Sequence, residues 1–83
     1  DEVLAVSLEH VRRSRLEPGC LLHSVQRDVE DPLIVTFLEH WRDQAALSEH
    51  FQVQGSRDFV AQLRPLTAEP PVMQVFSAET IRV

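Results

Sequence analysis

The sequence predicts a small α+β domain, and three observations point to this class. Apolar residues at helical spacing open the chain, two strand-like stretches joined by a short turn follow, and a second helical stretch comes after them. With 83 residues and 43% hydrophobic content, the chain suffices for one domain, residues 1–83, near the lower limit for a self-sufficient core.

The first helix is predicted over residues 1–16. Leu4, Leu8 and Val11 recur at helical spacing, which indicates one apolar helix face. Acidic residues stand at the start of this stretch and arginines near its end, as the helix dipole favours. The helix is expected to end at Pro18-Gly19, because proline and glycine interrupt helical backbone.

Residues 20–27 and 33–41 are predicted to be strands, with residues 28–32 as the turn between them. A connection this short favours an antiparallel hairpin. The stretch LIVTFL, residues 33–38, is apolar on both faces, which is typical of a strand that is covered on both sides.

The second helical stretch is predicted to begin after Asp43, a residue type that caps helix N-termini well. It is expected to break around Gly55 and to resume with Ser56 as the next cap. Pro70-Pro71 should end it, and residues 72–83 alternate in a way that predicts a last strand.

The apolar strand also predicts an assembly. The helices can cover one face of a small sheet, but nothing in the chain is left to cover the other face of residues 33–38. A second copy is the simplest cover, so we expect a homodimer that pairs through its sheet faces.

Charge and cysteine content narrow the class of partner. The net charge is −5, every basic residue is arginine, and no basic cluster occurs, so neither nucleic acid nor an anionic membrane is an expected partner. No apolar run approaches the roughly 18 residues of a membrane span.

The single cysteine, Cys20, fits a reducing compartment, and a cytoplasmic location is expected.

The segment EHWRDQAALSEHF, residues 39–51, raises the question of a site because Glu39-His40 and Glu49-His50 each precede an aromatic residue. His40 falls on a strand and His50 on a helix, without the spacing of a metal-ligand motif. We therefore expect no bound metal.

Strand alternation places Glu39 on one face with Phe37 and Trp41. A carboxylate in such surroundings is either paired, with Arg42 or Arg64 for example, or has a raised pKa. A structural ion pair at the strand end is the plainer interpretation of Glu39, as core packing is for Trp41.

Two histidines are candidates for a general base. His50 lies one helical turn after Leu47 and beside Phe51, and His23 shares a strand face with apolar residues. Each could equally be an ordinary satisfied or exposed histidine.

The stretches EPGCLLHSVQRDVEDP, LIVTFLEHWRDQAALSEHF and FVAQLRPLTAEPP together resemble the antibiotic biosynthesis monooxygenase family of dimeric α/β-barrel proteins. The resemblance implies a ferredoxin-like βαββαβ fold, with helices on one face of an antiparallel sheet and a pocket between them. It also implies a dimer whose sheets form a barrel. Some members of this family oxygenate aromatic polyketides or quinols without metal or flavin, and others degrade haem or bind small molecules.

The chain departs from this family pattern in three ways. The first β-strand is absent, so the sequence is expected to start inside the domain. There is no asparagine or tyrosine, so pocket arrangements that use them do not transfer. The haem-degrading branch has a histidine ligand near the position of Val60, which disfavours haem here.

The leading hypothesis is a cofactor-independent monooxygenase, an oxidoreductase acting on a small aromatic such as a quinol or polyketide-type anthrone. His50 or His23 would remove a phenolic proton. Substrate-binding side chains would surround it in a dry cavity: Phe37, Glu39, Trp41, Phe51 and Phe59. The alternative is a non-catalytic dimer of the same fold that binds a small ligand or a partner protein. Aromatic pocket residues without an ordered acid/base pair would favour that alternative.

Overall fold

The computed structural model describes residues 1–83. Its elements in chain order are α1 (Glu2–Ser14), β1 (Cys20–Arg27), β2 (Val35–Trp41), α2 (Gln44–Gln52), α3 (Gln54–Leu63) and a 3-10 turn (Arg64–Leu66). The strands form an antiparallel two-stranded sheet, α1 packs on β1 and α3, and α2 packs on β2 and α3. The predicted α+β class is therefore confirmed.

Aspartate side chains cap α1 and α2, and the sequence predicts the cap at Asp43. The Asp1 side chain accepts the backbone N–H of Leu4 at 3.0 Å, and Asp43 accepts that of Ala46 at 2.8 Å. The hydrogen bond from Ala46 lowers the pKa of Asp43. None of the helices has the length and apolar character needed to cross a membrane.

The break between the second and third helices lies before Gly55. Val53 has an extended backbone, with φ −64° and ψ 134°, and α3 starts at the next residue. Gly55 and Ser56 are both inside α3, and Ser56 is buried instead of capping the helix. The predicted cap is wrong because the chain leaves and re-enters helical geometry at Val53, which has no side-chain hydrogen-bonding group.

The buried face of α1 is mostly polar. Its fully buried residues follow helical spacing: Ser7, His10, Val11 and Ser14. Leu4 and Leu8, which the sequence placed on the inner face beside Val11, are only half-buried. Few apolar residues are buried in the whole chain, namely Val11, Ala46 and Leu63. The space between the helices and the sheet is therefore lined largely by polar groups.

The hairpin register brings two of the predicted site residues face to face. His23 on β1 pairs with Glu39 on β2, and both side chains point toward the helices. The second strand begins at Val35, two residues later than predicted. The turn takes up the difference, because the Asp28 carboxylate accepts the backbone N–H of Asp31 at 2.9 Å.

The predicted last strand is not formed. Residues 72–83 have no regular secondary structure, and none of their backbone groups is hydrogen-bonded to another strand. Their apolar side chains, Met73 and Ile81 among them, are exposed. Alternating apolar residues make a strand only when a neighbouring edge supplies hydrogen bonds, and no edge of the β1–β2 hairpin is used by this segment.

Gly19 connects the end of α1 to β1 with a positive φ of 83°. A Cβ atom at this position would come within 2.6 Å of the Cβ of Ala46 on α2. We expect Gly19→Ala to lower the free energy of unfolding by at least about 1 kcal/mol, from backbone strain and this clash. Urea unfolding measures the effect, and an unchanged midpoint would contradict it.

The sheet face turned away from the helices has no cover in one chain. Ile34 is 47% exposed and Leu38 is 50% exposed.

We expect sedimentation at micromolar concentration to show a dimer. Leu38→Asp should weaken it, because a charge would be buried in the contact. Val29→Asp is the matched control and should leave the dimer intact, because the Val29 side chain lies in the turn and is 99% exposed. A monomeric parent chain would contradict the expectation.

Candidate functional site

Three histidines from three different elements meet between the helices and the sheet. His10 from α1, His23 from β1 and His50 from α2 are 6%, 1% and 3% exposed. One ring nitrogen from each can be chosen so that all three lie within 4.8 Å of one another. Their ring centres are 5.3–5.6 Å apart. We call these three residues the histidine cluster.

Local structure explains why the rings converge. His10 belongs to the polar buried face of α1, and His23 points inward from β1. On α2, His50 lies one turn after Ala46, and both residues are buried against the rest of the chain. The three positions are far apart in sequence, so only the packing of α1 and α2 around the hairpin brings them together.

The ring of His50 is oriented by a carboxylate. Its Nδ1 donates a hydrogen bond to Oε1 of Glu17 at 2.9 Å, and Glu17 lies just after α1. This bond places the ring proton of the neutral imidazole on Nδ1 and leaves the lone pair of Nε2 free. That Nε2 atom is 4.0 Å from Oε1 of Glu39. His50 and Glu17 form an ordered acid/base pair.

Glu39 is a charged group beside the cluster. Its Oε1 accepts the indole N–H of Trp41 at 2.9 Å and lies 3.3 Å from Nε2 of His23. Burial by itself would raise the pKa of Glu39, but its interactions with His23, Trp41 and His50 outweigh burial and lower the pKa to about 2. The carboxylate is therefore ionised at neutral pH.

The expected partners of Glu39 are incorrect. Arg42 donates to the neighbouring Asp43 at 3.4 Å, on the exposed surface, and Arg64 has no ion pair with Glu39. A raised pKa is also contradicted. The physical reason is that the indole N–H of Trp41, together with His23 and His50 from other elements, stabilises the charge of Glu39.

The ring of His23 lacks hydrogen-bond partners. Both of its nitrogens are buried, and neither makes a hydrogen bond. The 3.3 Å approach of Glu39 brings charge near Nε2 without the geometry of a hydrogen bond, so the contact is electrostatic. Buried side-chain nitrogens without partners are uncommon in proteins, and such a group needs an explanation.

His10 is held by an arginine and an aromatic ring. A terminal guanidinium N–H of Arg13 donates to its Nδ1 at 2.6 Å, and the ring of Phe59 stacks on it at 4.0 Å between centres. Burial first, and then the positive charge of Arg13, lower the pKa of His10 to about 4, so its ring is neutral at pH 7. Arg13 also pairs with Glu17 at 3.1 Å, which links the surroundings of His10 and His50.

The aromatic residues predicted to bind substrate differ in how close they lie to the histidine cluster. Phe37 and Phe59 pack edge-to-face with ring centres 5.7 Å apart, and the Trp41 ring lies 4.5 Å from that of His50. Phe51 is 43% exposed and lies at the edge of the group. These side chains surround the histidine cluster closely.

Two cavities border the cluster. One of about 320 Å³ runs along β1 and is bordered by Arg15, Leu22 and His23. The other, of about 180 Å³, lies between α1 and α3 and reaches His10 and Phe59. Of the aromatic residues predicted to shape the pocket, Phe59 borders one of these two cavities and the others border neither.

Sequence reasoning missed His10 and Glu17. The Glu9-His10 dipeptide resembled the other Glu-His pairs, but it had no aromatic neighbour in sequence. Its aromatic partner is Phe59, far along the chain. The signal that could have found His10 is the polar helix face: a histidine between buried serines on one face is unusual for a core helix.

The expectation of no metal rested on His40 and His50, which the structure does not bring together. His40 is exposed on the opposite face of β2 and takes no part in the cluster. His50, however, does converge with other histidines, namely His10 and His23. Sequence spacing does not reveal ligands that come together only in space.

Comparison with known proteins identifies the family. The family model described as antibiotic biosynthesis monooxygenase matches residues 1–62. An uncharacterized protein of Synechocystis sp. is 36% identical over 81 residues, which is 96% of this chain and 55% of that protein. The chain therefore spans about half the length of this curated relative.

Solved structures share the fold. A protein of Deinococcus radiodurans assigned to the antibiotic biosynthesis monooxygenases aligns with a TM-score of 0.88 over 98% of this chain and 81% of its own, at 23% identity. A conserved protein of Methanosarcina mazei Go1 aligns at 0.78, with 24% identity over 82% of this chain and 67% of its own. Another antibiotic biosynthesis monooxygenase is 33% identical, with a TM-score of 0.71 over 76% of this chain and 66% of its own. The ferredoxin-like prediction is confirmed, and the chain belongs to the antibiotic biosynthesis monooxygenase family.

Proposed function

We propose that this chain carries the site of a monooxygenase, an oxidoreductase that acts on a small electron-rich aromatic such as an anthrone or a quinol. The observation that carries the proposal is the hydrogen bond between the Glu17 carboxylate and His50 Nδ1. A non-catalytic ligand-binding dimer would not need an ordered acid/base pair buried beside aromatic rings, so the pair favours the enzyme.

The chemistry begins with a proton transfer. His50 Nε2, whose lone pair is free, takes the phenolic proton of the enol form of the substrate. The Glu17 carboxylate stabilises the imidazolium that forms and keeps the ring in the required tautomer. Burial of His50 excludes water that would otherwise compete for the proton.

The oxidation that follows balances without an external reductant. The aromatic anion passes one electron to O2, and the two radicals combine to form a carbon–oxygen bond. Loss of water from this peroxide leaves a new carbonyl group, so one oxygen atom enters the product and the other leaves as water. The substrate supplies all the electrons, and His50 returns its proton to the departing water.

The cavity of about 320 Å³ beside β1 is the candidate position for the ring system, since ligand sites range upward from about 300 Å³. His23 borders it and His50 does not, and their ring centres are 5.6 Å apart, so transfer of the proton to His50 requires His23 to move aside or to relay it.

The test is oxygen consumption with an anthrone or a quinol. General acid/base groups supply about 10²- to 10⁴-fold in rate, so His50→Ala should lower consumption at least about tenfold. Glu17→Gln should also lower it, because the amide holds the tautomer less firmly. Glu30→Gln, in the exposed turn between the strands, is the control and should retain full activity.

Two results would count against this proposal. Full activity in both His50→Ala and His23→Ala would show that neither imidazole is the base. A parent protein that binds an aromatic but consumes no oxygen with any of them would favour the binding dimer instead.

A further inference from the structure

We infer that His10, His23 and His50 form a binding site for a divalent transition-metal ion such as Zn²⁺. This inference goes beyond the proposed oxidation and does not depend on it, because metal binding is measured without substrate. A bound ion would occupy the Nε2 lone pair of His50 that the proposed oxidation uses as its base, so the two roles belong to the metal-bound and metal-free states of the protein. It rests on the geometry of the histidine cluster, on the unpartnered ring of His23, and on the hydrogen bond that orients His50.

The distances between the ring nitrogens of the histidine cluster are close to those of a three-histidine ligand set. These nitrogens lie within 4.8 Å of one another, whereas ligands about 2.0–2.1 Å from a tetrahedral zinc ion lie roughly 3.3 Å apart. Side-chain rotations that move each nitrogen by about 1 Å would close the set. Three imidazoles leave a fourth position open, as in catalytic zinc sites. Imidazole ligands suit zinc, copper, nickel and iron, and do not suit calcium or magnesium.

His23 supplies the independent observation. Its side chain is fully buried, and both ring nitrogens lack a hydrogen-bond partner. A buried polar group without a partner costs about 1–3 kcal/mol. A metal ion bound to one nitrogen would give this ring the partner that the protein does not provide.

The surroundings match a metal-ligating histidine. Ligand histidines usually donate their other ring N–H to a carboxylate or carbonyl oxygen, which fixes the tautomer. His50 does so through Glu17 and keeps Nε2 free on the side of the cluster. Glu39 adds a negative charge, with Oε1 at 3.3 Å from Nε2 of His23 and 4.0 Å from Nε2 of His50.

Arg13 opposes metal binding. Its guanidinium N–H occupies Nδ1 of His10 at 2.6 Å. If the ion takes Nδ1, it displaces this hydrogen bond. If the ion takes Nε2, the ring proton moves to Nδ1 and faces the guanidinium N–H. In both cases a cation stands beside the site, so removing Arg13 should tighten binding.

An entry route reaches the cluster from solvent. The cavity of about 180 Å³ between α1 and α3 borders His10, and its charged lining residues are Glu9, Asp58 and Arg13. Carboxylates at the mouth of a cavity favour cations in it.

The direct test uses the intact chain after treatment with a chelator. Equilibrium dialysis against Zn²⁺, followed by elemental analysis, should find one ion per chain, and binding should release protons. Co²⁺ should compete with Zn²⁺ and give visible absorption bands, while Mg²⁺ and Ca²⁺ should not compete. A chain that retains no Zn²⁺ or Co²⁺ would overturn the inference.

Variants identify the ligands. His10→Gln and His23→Gln should lose at least as much affinity as Glu17→Gln, for which we expect a loss of about 10- to 100-fold. His40→Gln is the matched control and should bind as the parent chain does. Unchanged affinity in both His10→Gln and His23→Gln would also overturn the site, even with metal bound elsewhere.

One variant separates loss of a ligand from loss of fold. Arg13→Met keeps the aliphatic stem but removes the guanidinium, and it should bind Zn²⁺ more tightly than the parent chain. Loss of the fold would separate the three histidines, so tighter binding with an unchanged circular dichroism spectrum would support the site directly. Weaker binding in Arg13→Met with an unchanged circular dichroism spectrum would contradict the assignment of His10. Because no aromatic substrate is present, failure of the proposed oxidation would leave these measurements unaffected.

Discussion

Between pH 6.5 and pH 4 the metal-free protein should lose about 3 kcal/mol of unfolding free energy through His10. The pKa of His10 is lowered from 6.5 to about 4 in the folded chain, so the unfolded state takes up a proton first as the pH falls. Stability that depends on the neutral ring is fully present above pH 6.5 and is lost as the pH approaches 4, at about 1.4 kcal/mol per pH unit.

Glu39 extends the loss to lower pH. Its pKa is lowered from 4.5 to about 2 in the folded chain, so its contribution is present above pH 4.5 and falls as the pH drops toward 2. The two groups act in successive ranges, His10 first and Glu39 second. The protein should therefore begin to lose stability in mildly acidic solution, well before ordinary carboxylates are protonated.

Urea unfolding in the presence of a chelator, at pH 7.5, 5.5 and 4.5, measures this dependence. His10→Phe removes the titrating ring and can still stack on Phe59, so its stability should depend much less on pH between 6.5 and 4. His40→Phe, at an exposed position, is the control and should keep the slope of the parent chain. Equal slopes in the parent and in His10→Phe would contradict the prediction.

Replacing the polar pair at the centre of the sheet should stabilise the metal-free protein. We expect His23→Leu with Glu39→Leu to raise the free energy of unfolding by about 1–4 kcal/mol, because apolar residues of similar volume need no desolvation of charge. His23 has no hydrogen-bond partner to lose. Trp41 loses the acceptor of its indole N–H, but it is half-buried and can reach water.

The single variants show whether the two positions act as a pair. His23→Leu alone leaves the Glu39 charge without one of the groups that stabilise it, and Glu39→Leu alone leaves two polar nitrogens in more apolar surroundings. Each single variant should therefore be less stable than the double variant, with an interaction energy of about 0.5–3 kcal/mol. A double variant less stable than the parent chain would show that the pair is structural, and that the cluster is not kept at the expense of stability.

A double variant more stable than the parent chain would place the histidine cluster among functional sites that reduce stability. The apolar core comprises Val11, Ala46 and Leu63, and the three histidines occupy the position where a small domain would normally bury leucine or valine. Buried polar groups in a core this small are costly, so a role in binding or catalysis is the most direct reason for them.

Local chemistry is what the sequence by itself determined. Asp1 and Asp43 are caps because their side chains bond to backbone N–H groups within three residues, and the strand stretches alternate with the two-residue period of a pleated sheet. The family followed in the same way, since its segments are read in order along the chain. His23 and His50 were found because each belongs to a pattern that its own neighbours reveal.

The tertiary structure alone decided which groups meet. His10 and Glu17 join the site through the packing of α1. The charge of Glu39 is stabilised by His23, Trp41 and His50, and Arg42 pairs with Asp43 instead. The local pattern also could not show whether residues 72–83 form a strand, because a strand needs the edge of a neighbouring strand for its hydrogen bonds. Contacts between distant segments depend on how whole elements pack, so no spacing rule along the chain could have revealed them.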